Sequence, residues 1–190
     1  MNQELGREKV VEAFAQFLGG FDKGRDDLTR KRGLYLYGDP GSGKSWFVSS
    51  VLKDLGYDVI SYDAGDIRNK AVIEGITKHN MSDSNVLSML QRRVKKIAVV
   101  MDEIDGMNNG DKGGINALIK LIRPKKTKKQ KLEEVTPTPI ICIGNYHVDK
   151  KIKELMKVCE LVELPRATPE QTRSLVGKVM KDTDSALLDK

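Results

Sequence analysis

The chain has 190 residues, 39% of them hydrophobic, with 33 Lys and Arg against 27 Asp and Glu and a formal net charge of +6. That length predicts one well-buried domain with at most the start of a second unit, and the basic excess favours a polyanionic partner. No apolar run approaches the roughly 20 residues that cross a bilayer, and Met1-Asn2-Gln3-Glu4 lacks the charged-then-apolar layout of a signal peptide, so the expectation is a soluble, intracellular protein with no membrane partner.

Val10, Phe14, Phe17 and Leu18 recur at i, i+4, i+7 and i+8, which predicts an amphipathic helix over residues 6–18 ended by Gly19-Gly20. Charged residues 21–33 lead into Leu34-Tyr35-Leu36-Tyr37, read as a short strand. It runs into G-x-x-x-x-G-K-S, Gly38 to Ser45. Trp46, Phe47, Val48, Val51 and Leu52 are then spaced as a helix lasting to about Leu55 and stopped by Gly56. Gly38, Gly41 and Gly43 let backbone N–H groups turn inward around an anion, and the helix start adds its positive dipole end. Lys44 brings a mobile charge and Ser45 a hydroxyl for a magnesium ion. Such a strand-to-helix loop suits the phosphates of a nucleotide.

Asp58–Tyr62 reads as the next strand, residues 67–94 as helical pieces broken around His79 to Ser84, and Ile97-Ala98-Val99-Val100-Met101 as a strand buried on both faces of a parallel sheet. It ends in Asp102-Glu103. A carboxylate closing a buried strand is costly unless it meets a cation, so Asp102 is expected at magnesium, with Glu103 beside it to take a proton from an attacking water. Ile115–Ile122 has helical spacing, and a lysine-rich stretch leads past Pro137 and Pro139 to a buried strand, Ile140–Ile143, closed by Gly144-Asn145. Asn145 is expected to hold the water or a γ-phosphate oxygen. Leu161–Leu164 reads as a last short strand, and Thr168-Pro169-Glu170 as the start of a helix. Strands alternating with helices predict a parallel sheet covered on both faces, with the glycine loop, Asp102-Glu103 and Asn145 at the carboxyl ends of its strands. Cys142 and Cys159 are expected as reduced core thiols, and His79 and His147 as ordinary surface residues.

The sets GDPGSGKS (38–45), VVMDEID (99–105) and IGN (143–145) resemble the Walker A, Walker B and sensor 1 motifs of AAA+ ATPases. MDEIDGMNNGDKGGINALIKLI (101–122) looks like the large subunit of the replication factor C clamp loader. YDAGDIRNK (62–70) is similar to the Asn-Ala-Ser-Asp-x-Arg segment of that family, and Leu5-Gly6 matches its adenine-side loop. The resemblance covers about residues 3–175. It implies a P-loop NTPase of the α/β class, with an AAA+ core and five-stranded parallel sheet over residues 1–166, followed over 167–190 by the beginning of a helical lid, truncated; that neither the lid's sensor 2 arginine nor the family's collar is visible departs from the family and is expected of a fragment or a reduced member. The implied cofactors are ATP and Mg2+. Lys44, Glu103 and Asn145 are the implied catalytic residues, and Ser45 and Asp102 the metal ligands. Leu5, Gly6, Asp39, Pro40, Gly41, Ser42, Gly43, Lys44, Ser45 and Trp46 are implied at the nucleotide. The partners implied are small clamp-loader subunits, a sliding clamp and primer-template DNA, in the nucleus or another site of DNA replication.

Two further departures qualify the resemblance. Small clamp-loader subunits carry Ser-Arg-Cys where this chain has Lys157-Val158-Cys159, and Val158 has no charge to stabilise a transition state in a neighbour. A large subunit at the end of an arc need not donate that arginine, and weak ATP turnover by the lone chain follows, because its own arginine comes from a partner. Arg123 to Lys131 carries six basic residues among nine where related large subunits pass almost directly into the sensor strand. Lys125, Lys126, Lys128 and Lys129, together with Arg68, are candidate DNA contacts; the alternative is a flexible solvated loop. Two further functions stay open at this point: an ATPase with another client, such as a helicase loader or remodelling factor, and a non-hydrolysing, nucleotide-gated scaffold. The lack of an aromatic-hydrophobic-glycine pore motif between the Walker motifs counts against a threading unfoldase.

Overall fold

Side chains alternate between the two faces of a strand, and here both faces are apolar. Leu34, Leu36, Ala98, Val100, Ile141 and Ile143 bury themselves on one side, while Tyr35, Val99, Met101, Ile140 and Cys142 do so on the other. The computed structural model describes residues 5–23, 27–63, 96–108, 113–133, 136, 138–145 and 150–188. Arg68, His79, His147 and the helical reading of 67–94 lie outside them.

The elements are α1 (Glu8–Lys23), β1 (Gly33–Tyr37), α2 (Lys44–Asp54), β2 (Tyr57–Tyr62), β3 (Lys96–Met101), a 3-10 turn (Ile104–Asn108), α3 (Gly114–Ile122), α4 (Lys128–Lys131), β4 (Ile140–Gly144), α5 (Lys150–Val158), β5 (Cys159–Glu163) and α6 (Pro169–Leu188). The five strands form one parallel sheet in the order β2-β3-β4-β1-β5. On one face Phe14, Phe17 and Leu18 of α1 and Phe47, Val48, Val51 and Leu52 of α2 close a core. On the other, Ile115, Leu118, Leu121 and Ile122 of α3 pack with Ile152, Leu155 and Met156 of α5. The result is the expected three-layer α/β arrangement, with each buried Leu, Ile or Phe contributing about 1.5–3 kcal/mol.

Several boundaries move for packing reasons. Helix α1 does not end at Gly19-Gly20 but runs through both glycines to Lys23. Two helical glycines cost about 1 kcal/mol each; against that, Phe21 is buried beside Phe17 at 6.5 Å and under the Arg32 guanidinium at 5.6 Å. The last strand starts two residues before Leu161, because Cys159 pairs with Gly33 and Leu161 itself is exposed. Helix α5 is an element that the sequence reading did not name. Thr168 does begin α6: its hydroxyl accepts the Gln171 N–H at 3.2 Å and its N–H donates to Gln171 Oε1 at 2.9 Å, a capping box.

The basic insertion is folded in part: Lys125 is buried, and Lys128–Lys131 form a short helix. Lys125 is completely buried; its ammonium donates to the Lys120 carbonyl and, at 2.9 Å, to Glu133, which also pairs with Arg123. These two cations hold the Glu133 carboxyl below the usual glutamate range. Thr127 and Gln130 form a capping box that winds α4. Lys125 is therefore withdrawn from the candidate DNA contacts: its charge is spent inside the fold. Lys126, Lys128 and Lys129 remain exposed.

Candidate active site

In a parallel sheet, connections that leave neighbouring strands in opposite directions open a crevice at the carboxyl ends. Strand β4 lies between β1 and β3, so Asn145 at its end falls between the loop after Tyr37 and the acidic pair after Met101. Pro40, Gly41, Gly43, Lys44, Ser45, Trp46, Asp102, Glu103, Asp105 and Asn145 line one cleft of ≈ 370 Å³, within the range of small-ligand sites. Asp39 borders the adjoining hollow with Gly38, and Ser42 is buried behind the loop. Leu5 and Gly6 stand to one side, where Gly6 faces Gln171 of α6.

The loop is shaped by two left-handed glycines, Gly41 at φ 76° and Gly43 at φ 79°. Helix α2 begins at Gly43 with no side-chain cap and no acidic residue in its first turn. The first N–H groups of a helix have no partner within it, so this one meets an anion with its donors and dipole unneutralised. Lys44 Nζ crosses the loop, donating to the carbonyls of Gly38 at 2.9 Å and Asp39 at 3.1 Å and to Asn145 Oδ1 at 3.3 Å. Those donors and that cation fit nucleotide phosphates.

Asp102 closes β3, its N–H donating to the Tyr62 carbonyl at 2.9 Å and its Oδ1 accepting the Glu103 N–H at 2.9 Å. No cationic side chain pairs with it among the described residues. Ser45 lines the same cleft, so a hydroxyl and a carboxylate are available to a hard cation. Among the described residues no group of three or more His, Cys, Asp or Glu side chains is placed to hold a metal ion. Glu103 is exposed at φ 50°, the one non-glycine among the described residues with positive φ. Its left-handed backbone costs roughly 1–2 kcal/mol, and strain of that kind concentrates at functional sites.

Asn145 is held from three directions. Its amide Nδ2 donates to Asp105 Oδ2 at 2.6 Å, its Oδ1 accepts from Lys44, and its carbonyl accepts the Tyr35 hydroxyl at 3.2 Å. Burial, with Cys142 and Asp105 adding to it, pushes the Tyr35 phenol far above its ordinary range, so it stays a donor. Gly144 makes room for this, since a Cβ there would strike the Tyr35 hydroxyl and approach Asp105 Oδ1 at 3.2 Å. Asp105 and Tyr35 are the residues sequence reasoning missed. Asp105 stood in view three places after Asp102; Tyr35 gave no signal beyond that of a strand residue.

The AAA model, "ATPase family associated with various cellular activities", matches residues 34–166. The chain belongs to the AAA ATPase family. Among curated proteins, this AAA chain is 33% identical over 181 residues to replication factor C subunit 1 of Oryza sativa subsp. japonica, covering 87% of this chain and 17% of that protein. It is 28% identical over 160 residues to the replication factor C large subunit of Nanoarchaeum equitans, covering 84% and 33%. The chain thus spans a third or less of these two relatives. A chain of the HORMA:CdnC:Trip13 complex from E. coli MS115-1 superposes with a TM-score of 0.58 at 16% identity, covering 92% of this chain and 67% of that one, a likeness of fold. No helix among the described residues is long and apolar enough to cross a membrane.

Proposed function

We propose that this AAA chain binds and hydrolyses ATP as the large-subunit ATPase of a DNA sliding-clamp loader, at the nuclear or other site where DNA is replicated. The observation that carries the reading is the meeting of Lys44, Ser45, Asp102, Glu103 and Asn145 in one cleft, in a chain whose likeness to replication factor C large subunits extends over most of its length. Gly41, Gly43 and the start of α2 cradle the phosphates, with Lys44 on the β and γ groups and Trp46 at the rim. Ser45 and Asp102 would hold a magnesium ion, which would supply positive charge to the phosphates. Glu103 takes the proton of the attacking water, and Asn145, fixed by Asp105 and Tyr35, holds that water or a γ oxygen. Leu5 and Gly6 flank the base, and residues 167–190 begin the lid. The products are ADP and phosphate.

Val158 supports dependence on a partner. It is half-buried against the core at the end of α5, so the position at which small subunits carry an arginine has none here. The small subunits of the loader supply the missing cation to Glu103 and its water. Clamp loading onto primed DNA, assayed with the chain, small subunits and clamp, is expected to require ATP; loading that is equal without ATP contradicts the proposal.

Lys126, Lys128 and Lys129 are proposed to contact the DNA backbone. Reversing all three to glutamate is expected to weaken duplex binding about tenfold or more at low salt and to flatten its salt dependence by roughly one logarithmic unit for each phosphate no longer neutralised. Unchanged affinity and salt slope would remove these lysines from the DNA surface.

A further inference from the structure

The carbonyls around the phosphate loop are engaged on the protein side. Lys44 takes those of Gly38 and Asp39, and the Phe47 N–H takes that of Gly43 at 2.9 Å. The Ser42 carbonyl accepts from Arg7 Nη2 at 2.6 Å, across 35 residues of sequence. Arg7 is 3% exposed, its guanidinium lies 5.9 Å from the centre of the Phe47 ring, and its Nε has no partner among the described residues. Burying a cation is costly unless it is fully matched. One carbonyl, one ring face and an orphaned N–H are a poor match, so fold stability alone gives little reason for this guanidinium.

Its place relative to the loop gives a better one. The C=O and N–H flanking a planar peptide bond point in opposite directions. A grip on the Ser42 carbonyl from beneath therefore turns the Gly43 N–H toward the cleft. The Ser42 N–H to the Asp39 carbonyl at 3.2 Å and the Phe47 N–H to the Gly43 carbonyl at 2.9 Å hold the peptides on either side, whereas the Ser42–Gly43 peptide lies between two glycines, Gly41 and Gly43, at which a Cβ would meet open space.

We propose that Arg7 is a positioning residue for phosphate binding, holding the Ser42–Gly43 peptide so that the Gly43 N–H faces the anion and setting a fixed cation beneath the loop. The proposal rests on the nucleotide reading above and names the residue that sets its loop. It also ties that loop to the segment expected at the base, because Arg7 directly follows Leu5-Gly6.

The test titrates wild type, Arg7→Met and Arg7→Lys with ATP, inorganic tripolyphosphate and adenosine, using Lys44→Ala as the reference for a lost phosphate site. A hydrogen bond from a charged donor that orients a second donor warrants a loss of at least about tenfold. Arg7→Met is expected to weaken ATP and tripolyphosphate to that extent and leave adenosine unchanged, with faster hydrogen exchange at the Gly43 amide of the ATP-bound protein. Arg7→Lys, which keeps the charge without the fork, is expected to fall between Arg7→Met and wild type. Equal losses for all three ligands would reveal a merely structural role and overturn the proposal, as would undiminished ATP affinity in Arg7→Met. Should Arg7→Met fail to fold, Arg7→Lys decides: phosphate ligands weakened several-fold with adenosine spared supports the proposal, and no change overturns it. Wild type that binds neither ATP nor tripolyphosphate sinks the nucleotide reading itself, a result distinct from wild type and Arg7→Met binding ATP alike.

Discussion

Lys44→Ala is expected to lose ATP binding by about a hundredfold or more while the fold survives. Lys44 lies on the wall of an open cleft, and its ammonium is satisfied by two loop carbonyls and Asn145 rather than by core packing. Removing it leaves those acceptors facing water, a small penalty for the empty protein. With ligand bound, the change deletes a full charge opposite the phosphates and releases Asn145 on one side. A hundredfold corresponds to about 2.7 kcal/mol, within what one or two charge-assisted hydrogen bonds supply. Isothermal titration with ATP, paired with thermal unfolding of the empty protein, separates the two terms; an unfolding temperature that falls as far as the affinity would show a structural lysine instead.

Glu103→Gln is expected to leave ATP affinity within about threefold and to cut turnover by 10² or more, the usual share of a positioned general base. The amide keeps the size of the carboxylate and one acceptor oxygen but cannot take a proton. The strained backbone adds an independent readout. At φ 50° glycine is the relaxed residue, so Glu103→Gly is expected to unfold no more easily than wild type and yet to be as slow as Glu103→Gln. A fold that is no worse without Glu103, joined to lost chemistry, marks a residue kept for reaction. If Glu103→Gln turned over like wild type in the presence of all partners, the base would have to be sought elsewhere.

What was legible in the sequence, and what was not, divides by the range of the interaction responsible. Strands β3 and β4 stood out because central parallel strands are buried on both faces and read as unbroken apolar runs. The glycine loop was equally plain, since its backbone shape needs glycine at fixed places. Helix α5 escaped because its buried face is only Ile152, Leu155 and Met156 among lysines. The end of α1 was misplaced because the local penalty of two glycines was visible, whereas the shelter given to Phe21 by Arg32 was not. Lys125 looked like its basic neighbours, and only its bond to Glu133, across the turn of α4, distinguishes a pinning residue from a displayed one. At the site the same rule holds. Lys44, Ser45, Asp102, Glu103 and Asn145 of the cleft were legible, while Asp105 and Tyr35, which hold Asn145, and Arg7, which holds the Ser42 carbonyl, act through partners distant in sequence.

The most direct measurement of the proposed function is steady-state ATP hydrolysis by the chain alone and then with small clamp-loader subunits, sliding clamp and primed DNA, using Lys44→Ala as the blank. We expect slow turnover alone and stimulation of at least about tenfold that needs the partners and vanishes in the blank, as a cation supplied in trans requires. Rapid hydrolysis by the lone chain, indifferent to clamp and DNA, would contradict it and assign this cleft to another client.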